Sequence, residues 1–411
     1  MFKALIAICA LSTSLLALAS DPSKACTEQG WLEKEDAAFA TDCVGMAFLG
    51  SLKDRQRLAW MFFARINTLI QNDPLKHQKS SSTACDHAGA SMDSPPMDSP
   101  PCTETVPVWM AWPTDPDTFN SRTPFVFQQQ PRTQVMSSQE KKTILAGHIS
   151  KTNPNGSNEE VTRNQLSYDY LVQSGLTTKL DVAAFFLDND YVDMPVGSVE
   201  LKASWLQVSQ GSPAPAEAFV YDFDGGAYWL RGLHIMVKMQ SLADPETLFY
   251  SEEPSWFWTT FEFSDNPGVA RVRDQFITQR APLKKAQIKE ILGPLAEQWP
   301  MAYTPNGTQI RFTENGAGNT PVILGHTNME DFAGAPNAAQ PQYWDNFESS
   351  CHSCHATAAY NPMTKIFFPF SVPKGILHPA YNQHDKAGNV QYLGQGFKPL
   401  DFMWPIVFRA R

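Results

Sequence analysis

The chain has 411 residues, 43% of them hydrophobic, with 32 Lys and Arg against 42 Asp and Glu, a formal net charge of −10. That length allows two or three domains and a sizeable core, and the acidic balance disfavours nucleic acid as a partner. The 11 Trp and 26 Phe are enough to build an aromatic core or to wall an apolar cofactor pocket.

Residues 1–20 read as a cleaved secretory signal peptide. Lys3 gives a short positive start, Ala4 to Leu18 is an apolar run, and Ala17-Leu18-Ala19 supplies small residues for a peptidase. The run is short for a membrane span, which needs roughly 20 apolar residues. The expectation is a periplasmic or secreted protein with no transmembrane anchor after cleavage. Six cysteines then remain, and an oxidising compartment favours pairing of the first four. Three pairings are open; Cys26–Cys43 and Cys85–Cys102 close the shortest loops.

Residues 21–105 form a helical N-terminal region. Between Trp31 and Gln71, Leu58, Phe62, Ile66 and Leu69 recur at helical spacing, and Pro74 ends the pattern. Residues 76–101 are rich in Ser, Pro and Asp and read as a solvated loop. His87, Met92 and Met97 lie there, but nothing fixes their spacing as copper ligands.

Residues 106–303 read as a β-rich domain. The segments Ser198–Val208, Ala227–Met239 and Trp256–Phe263 alternate β-branched and aromatic residues and predict one antiparallel sheet. In the second, Trp229, Arg231, Leu233, Ile235, Val237 and Met239 fall on one face and Leu230, His234, Met236 and Lys238 on the other. A helix is predicted over Lys284–Trp299. The fold class is therefore α+β, with an N-terminal helical segment, a central antiparallel sheet and a C-terminal loop and helix segment.

That last segment, residues 304–411, expected either as a separate region or as one core with the preceding sheet, begins loop-rich and runs into Cys351-His352-Ser353-Cys354-His355. C-x-x-C-H is the attachment pattern of c-type haem. Two thiols separated by two residues lie on one helical turn, where they can add across the two vinyl groups of a porphyrin, and the following histidine falls beneath the iron. The small residues Ala356-Thr357-Ala358-Ala359 let the chain lie close to the ring. A redox disulfide lacks the βαβ context it needs, and a zinc finger lacks a second Cys/His pair. One covalent haem c is expected, bound through Cys351, Cys354 and His355, with His355 an axial iron ligand. His352, between the cysteines, reads as exposed. A minimal module of this kind needs about 100 residues, so most of the chain serves something else. The sixth iron ligand stays open among Met403, His234, His378 and His384. Met363 follows His355 too closely to swing round the ring.

The strings VELKASW, GLHIMVK, PSWFWTTFEFSDNP, CHSCHA and DFMWPIVFRAR resemble those of large, exported bacterial "cytochrome c family" proteins with one haem motif near the C-terminus and no settled activity. The resemblance covers roughly residues 199–411. It implies haem binding and electron transfer, and it groups His234, Trp256, Trp258 and Glu262 as parts of one site. In that family the position of Met403 often holds an aliphatic residue. A thinner similarity is to lysine-cross-linked, β-rich c-type cytochromes that oxidise hydroxylamine. It makes Lys202 and Lys238 candidate cross-linking residues.

The leading expectation is thus a periplasmic electron-transfer cytochrome serving an unspecified redox protein. The alternative is a haem oxidoreductase, peroxidase-like or a small-substrate oxidase, with an open sixth coordination site. Arg231 and His234 would then be distal polar groups and Glu262 a proton acceptor. In a third reading the N-terminal and sheet regions dock the haem segment to a partner enzyme.

Overall fold

The computed structural model describes residues 24–71, 105–120, 124–127, 158–209, 213–223, 226–240, 256–266, 283–310, 324–326, 329, 350–368 and 396–410. The expected signal peptide (residues 1–20), the Ser/Pro/Asp loop with His87, Met92 and Met97, Cys85, Cys102, His378 and His384 lie outside these residues.

The N-terminal region is helical, as its periodicity predicts. Cys26 and Cys43 are disulfide-bonded. Three helices follow, α1 (Asp36–Asp42), α2 (Val44–Phe48) and α3 (Leu52–Ile66). A capping box starts α3. Ser51 Oγ accepts from the Asp54 N–H at 3.3 Å, and the Asp54 carboxylate accepts from the Ser51 N–H at 2.8 Å. The helix stops at Ile66, earlier than the spacing of Leu69 suggests. Asn67 turns its side chain back to the Phe63 carbonyl (2.8 Å) and accepts from Trp109 Nε1 (3.0 Å). Leu69 instead begins β1 (Leu69–Gln71), which pairs with β2 (Thr105–Pro107) across the expected boundary at 105/106.

Next come α4 (Asp115–Phe119), β3 (Asn158–Arg163), α5 (Gln165–Gln173) and α6 (Lys179–Asp188). The three strands read from the sequence follow as β4 (Val199–Gln207), β6 (Gly226–Lys238) and β7 (Trp256–Phe263), with β5 (Val220–Phe223) between the first two. After α7 (Lys285–Leu292) the chain continues into β8 (Tyr303–Gln309). The sheet is antiparallel in the order β3-β4-β6-β7-β8, with β5 alongside the start of β6. β8 closes it beyond the expected boundary at 303/304, so the sheet is shared between the two stretches. The fold class is α+β.

One face of the sheet (Leu201, Ala203, Leu233, Ile235, Val237, Phe257, Phe261) packs against α1 to α3 and α7. Phe63 stacks on Phe261 with centroids 4.1 Å apart, and Trp60 meets the same ring edge-on at 4.9 Å. Burying aromatic side chains such as these stabilises the fold by about 1.5–3 kcal/mol each. The other face carries Met236, Trp256 and Trp258 and is covered by C-terminal elements: α8 (Cys351–His355), the small sheet β10-β9-β11 (Ile366–Phe367, Ala359–Asn361, Lys398–Pro399) and α9 (Trp404–Arg409).

Two register shifts alter the alternation along the strands. On β6 an extra residue, Arg231, stands between the pairs Trp205–Leu230 and Ser204–Gly232. The bulge moves Leu230 into the core with Leu233 and Ile235, not onto the His234 face where simple alternation put it. On β8 the extra residue is Asn306, between Pro305 and Gly307. A bulge re-aims the side chain it carries.

Candidate haem attachment site

The C-x-x-C-H motif forms the single helical turn α8, as its spacing predicts. Cys351 and Cys354 are buried and remain thiols, without a disulfide between them. The Leu324 carbonyl accepts from the Cys351 backbone N–H (3.2 Å) and from its Sγ (3.3 Å). Trp404 Nε1 donates to the Cys354 carbonyl at 2.9 Å. The motif is thus held from both sides by segments remote in sequence.

His355 is half-buried, and its Nδ1 lies 2.8 Å from the Phe402 carbonyl oxygen. A carbonyl only accepts, so Nδ1 carries a proton in this contact. Holding one ring nitrogen while the other faces a metal is the usual arrangement of a ligating histidine. The Trp258 ring lies edge-on to His355 at 4.5 Å. The Trp258 indole N–H is buried and has no acceptor among the described residues.

His352 is fully buried, which corrects the expectation that it is exposed. Its Nε2 is 3.0 Å from the Trp256 carbonyl, and its backbone N–H donates to Gln309 Oε1 at 3.2 Å. Gln309 also donates to Ser350 Oγ at 2.9 Å. Burial holds the His352 imidazole far below the ordinary range, at about 3, so it is neutral and donates to Trp256. The motif's inner histidine therefore fastens α8 to β7.

Phe402 lies in a loop whose backbone is unusual. Asp401 (φ 48°) and Phe402 (φ 68°) are both left-handed without being glycine, at a cost on the order of 1–3 kcal/mol each. Asp401 is buried and over-determined. It accepts from Lys238 Nζ (2.7 Å), Trp256 Nε1 (2.9 Å) and the Met194 N–H (2.7 Å). Lys238 also pairs with Asp193 at 2.9 Å. Burial pushes the Asp401 carboxyl above the usual aspartate range, and the Lys238 ammonium opposes that shift. Lys238 is accordingly engaged in a buried ion pair, and Lys202 pairs with Glu159 at 2.9 Å.

The alternative set of site residues lies one to two strand rows away on the same face. His234 stands opposite Lys202 and Thr260, and Gly232 opposite Ser204 and Glu262. His234 Nδ1 is 2.6 Å from Thr260 Oγ1. Glu262 is fully buried and accepts from Asn306, the β8 bulge residue, and from Asn266 at 3.3 Å. Sequence reasoning missed His326, which completes the cluster. Its Nδ1 is 3.8 Å from Glu262, and its ring meets that of His234 at 5.4 Å. Gly232 makes room for it: a Cβ there would lie 2.2 Å from His326 Nε2 and 2.4 Å from the Phe261 carbonyl. That glycine, mid-strand among apolar residues, is the one sequence signal of a close approach. Arg231 is buried at its bulge, where its carbonyl accepts from Asn266 at 2.9 Å. The structure thus brings His234 and Glu262 together beside His326, and places Trp256, Trp258 and α8 further along the same face.

Met403 is fully buried. The chemistry of the donor set suits a covalently held porphyrin: two thiols on one turn, an imidazole with its outer nitrogen fixed, and an apolar surround of Met236, Trp258, Leu400, Phe402 and Ile406. No described helix is long and apolar enough to cross a membrane. Searches against protein-family models, curated proteins and solved structures return no match to this chain.

Proposed function

We propose that this protein is an exported, periplasmic c-type cytochrome that carries one haem and transfers electrons to or from a redox partner. The observation that carries the reading is the pinned axial histidine. A C-x-x-C-H turn alone offers thiols and an imidazole, but here the His355 Nδ1–H is held by the Phe402 carbonyl, which is how a ligating histidine is usually oriented. Cys351 and Cys354 would hold the group as thioethers and His355 as axial ligand. When bound, it supplies a one-electron couple whose potential depends on axial ligand, burial and hydrogen bonding.

The chain's own residues support that couple by excluding water and fixing the ligand. Trp258 packs edge-on against His355, the Phe402 ring packs against His352, and neutral buried His352 adds no charge beside His355. Met403 directly follows the residue whose carbonyl holds Nδ1. This favours a packing role on the Nδ1 side of the ring, away from Nε2, over a sixth-ligand role. The ion pairs of Lys202 and Lys238 likewise favour structural roles over cross-linking. Voltammetry of the holoprotein tests the reading: a reversible one-electron couple is expected, and its absence would overturn electron transfer.

A second reading, a haem oxidoreductase with an open sixth site, is favoured by one observation. Glu262, His234 and His326 form a buried polar cluster on the haem-segment face, and Asn306 Oδ1 beside it has no donor among the described residues. A spectrum that shifts with carbon monoxide would support this reading. A spectrum that ignores it supports the carrier.

A further inference from the structure

The geometry points to Asp401 as a positioning residue for His355, acting through the Phe402 carbonyl, with Lys238 and Trp256 as its anchors on the sheet. This rests on the cytochrome reading in calling His355 a ligand. The positioning itself is a property of the chain.

His355 is held at Nδ1 by a backbone carbonyl, and a backbone carbonyl points only where its φ and ψ direct it. That carbonyl belongs to Phe402, the second of two consecutive left-handed, non-glycine residues after Asp401. Such a conformation persists only where the surroundings enforce it. Asp401 is what enforces it. Both its oxygens are used, Oδ1 by the Trp256 indole and Oδ2 by the Lys238 ammonium and the Met194 amide. These three donors come from β7, β6 and the strand-entry loop before β4, so the carboxylate ties the C-terminal loop to three separate segments. Trp256 serves twice, because its own carbonyl accepts from His352 Nε2. Both histidines of the C-x-x-C-H turn are therefore oriented by partners that converge on Trp256 and Asp401. A buried ion pair is weak support for stability but a good device for fixing one conformation, and outer partners of this kind set a ligand's tautomer and ring orientation.

Backbone and side-chain effects can be separated. Asp401→Gly keeps the left-handed conformation at no steric cost and deletes the carboxylate. Asp401→Asn tolerates the same backbone and keeps a neutral acceptor for Trp256. Tyr303→Phe, on the opposite face of the sheet, serves as a control that lowers stability alone. The first readout needs no haem: the ring nitrogens of His355 in the full-length chain with protected thiols, followed by ¹⁵N NMR. The second is the midpoint potential of the holoprotein.

Wild type is expected to show a single His355 tautomer, protonated at Nδ1, with slow exchange of that proton. Asp401→Gly is expected to speed the exchange at least tenfold and to move the midpoint potential by the equivalent of a tenfold change in equilibrium constant, about 59 mV for one electron. Asp401→Asn should fall between, and Tyr303→Phe should change neither. Unchanged tautomer, exchange and potential in Asp401→Gly would overturn the assignment. If Asp401→Gly does not fold, the same readouts on Asp401→Asn decide. A chain that never acquires haem defeats the cytochrome reading, while the tautomer measurement still decides the role of Asp401.

Discussion

The Nδ1 of His355 and the carbonyl oxygen of Phe402 are 2.8 Å apart, although 46 residues separate them in sequence. This contact joins the C-x-x-C-H turn to the C-terminal loop and fixes a proton on Nδ1. Because Met403 is the next residue, replacing it tests the axial set. Met403→Leu conserves volume and should cost less than about 1.5 kcal/mol. The oxidised and reduced spectra should be unchanged. Loss of a methionine-to-iron charge-transfer absorption in this variant would restore Met403 as sixth ligand.

Gly232 is predicted to be irreplaceable. An alanine Cβ would press on both the His326 ring and the Phe261 carbonyl, and a backbone oxygen in a paired strand cannot withdraw. Gly232→Ala should destabilise the fold by about 1–3 kcal/mol, measured by urea unfolding. Gly232→Ala with His326→Ala should recover only part of this, since the Phe261 contact remains. A neutral Gly232→Ala would mean that His326 does not pack over β6.

The central sheet, the N-terminal helices, the nearby disulfide and the C-x-x-C-H turn were all legible in the sequence, because each depends on local periodicity or fixed spacing. What was not legible depends on long-range placement. Alternation put Leu230 on the wrong face because the bulge at Arg231 appears only once β4 and β6 are in register. His352 looked exposed because nothing near it in sequence announces Trp256 and Gln309 as its partners. His326, in a glycine-rich stretch without periodicity, carried no local sign of Glu262 or His234. Asp401 and Phe402 reveal their left-handed backbone only in three dimensions.

The buried charges at the sheet edge should be unforgiving. Arg163, fully buried, binds Glu200 at 3.0 Å and also Asp115, which in turn holds Arg409 of α9 at 3.1 Å. Burial raises the Glu200 carboxyl, and Arg163 is what opposes that shift. Arg163→Met should cost about 3–5 kcal/mol by leaving carboxylates without their partner. Adding Glu200→Gln should recover part of the loss, and the interaction energy can be read from the double-mutant cycle. Strict additivity would contradict the pairing.

Alkaline pH should destabilise the protein through Tyr303. Its hydroxyl donates to the Leu230 carbonyl at 2.6 Å, and complete burial raises its pKa above the ordinary tyrosine value. An acid with a raised folded pKa contributes stability that is complete below its unfolded pKa and is lost as pH rises above it. From about pH 10 upward this single group should remove about 1.4 kcal/mol per pH unit. Tyr303→Phe should cost about 1–3 kcal/mol at neutral pH and make the alkaline slope shallower by one proton. An identical slope in both proteins would show that Tyr303 ionises freely in the fold.

The most direct measurement is whether haem stays with the chain after denaturation. The protein is exported from cells that carry haem-maturation machinery, unfolded, and examined by mass spectrometry and by its reduced absorption spectrum. The predicted result is one haem per chain that survives unfolding and is lost in Cys351→Ala with Cys354→Ala. A denatured chain of unmodified mass, with Cys351 and Cys354 recovered as thiols or as a disulfide, would contradict the assignment of this protein as a c-type cytochrome.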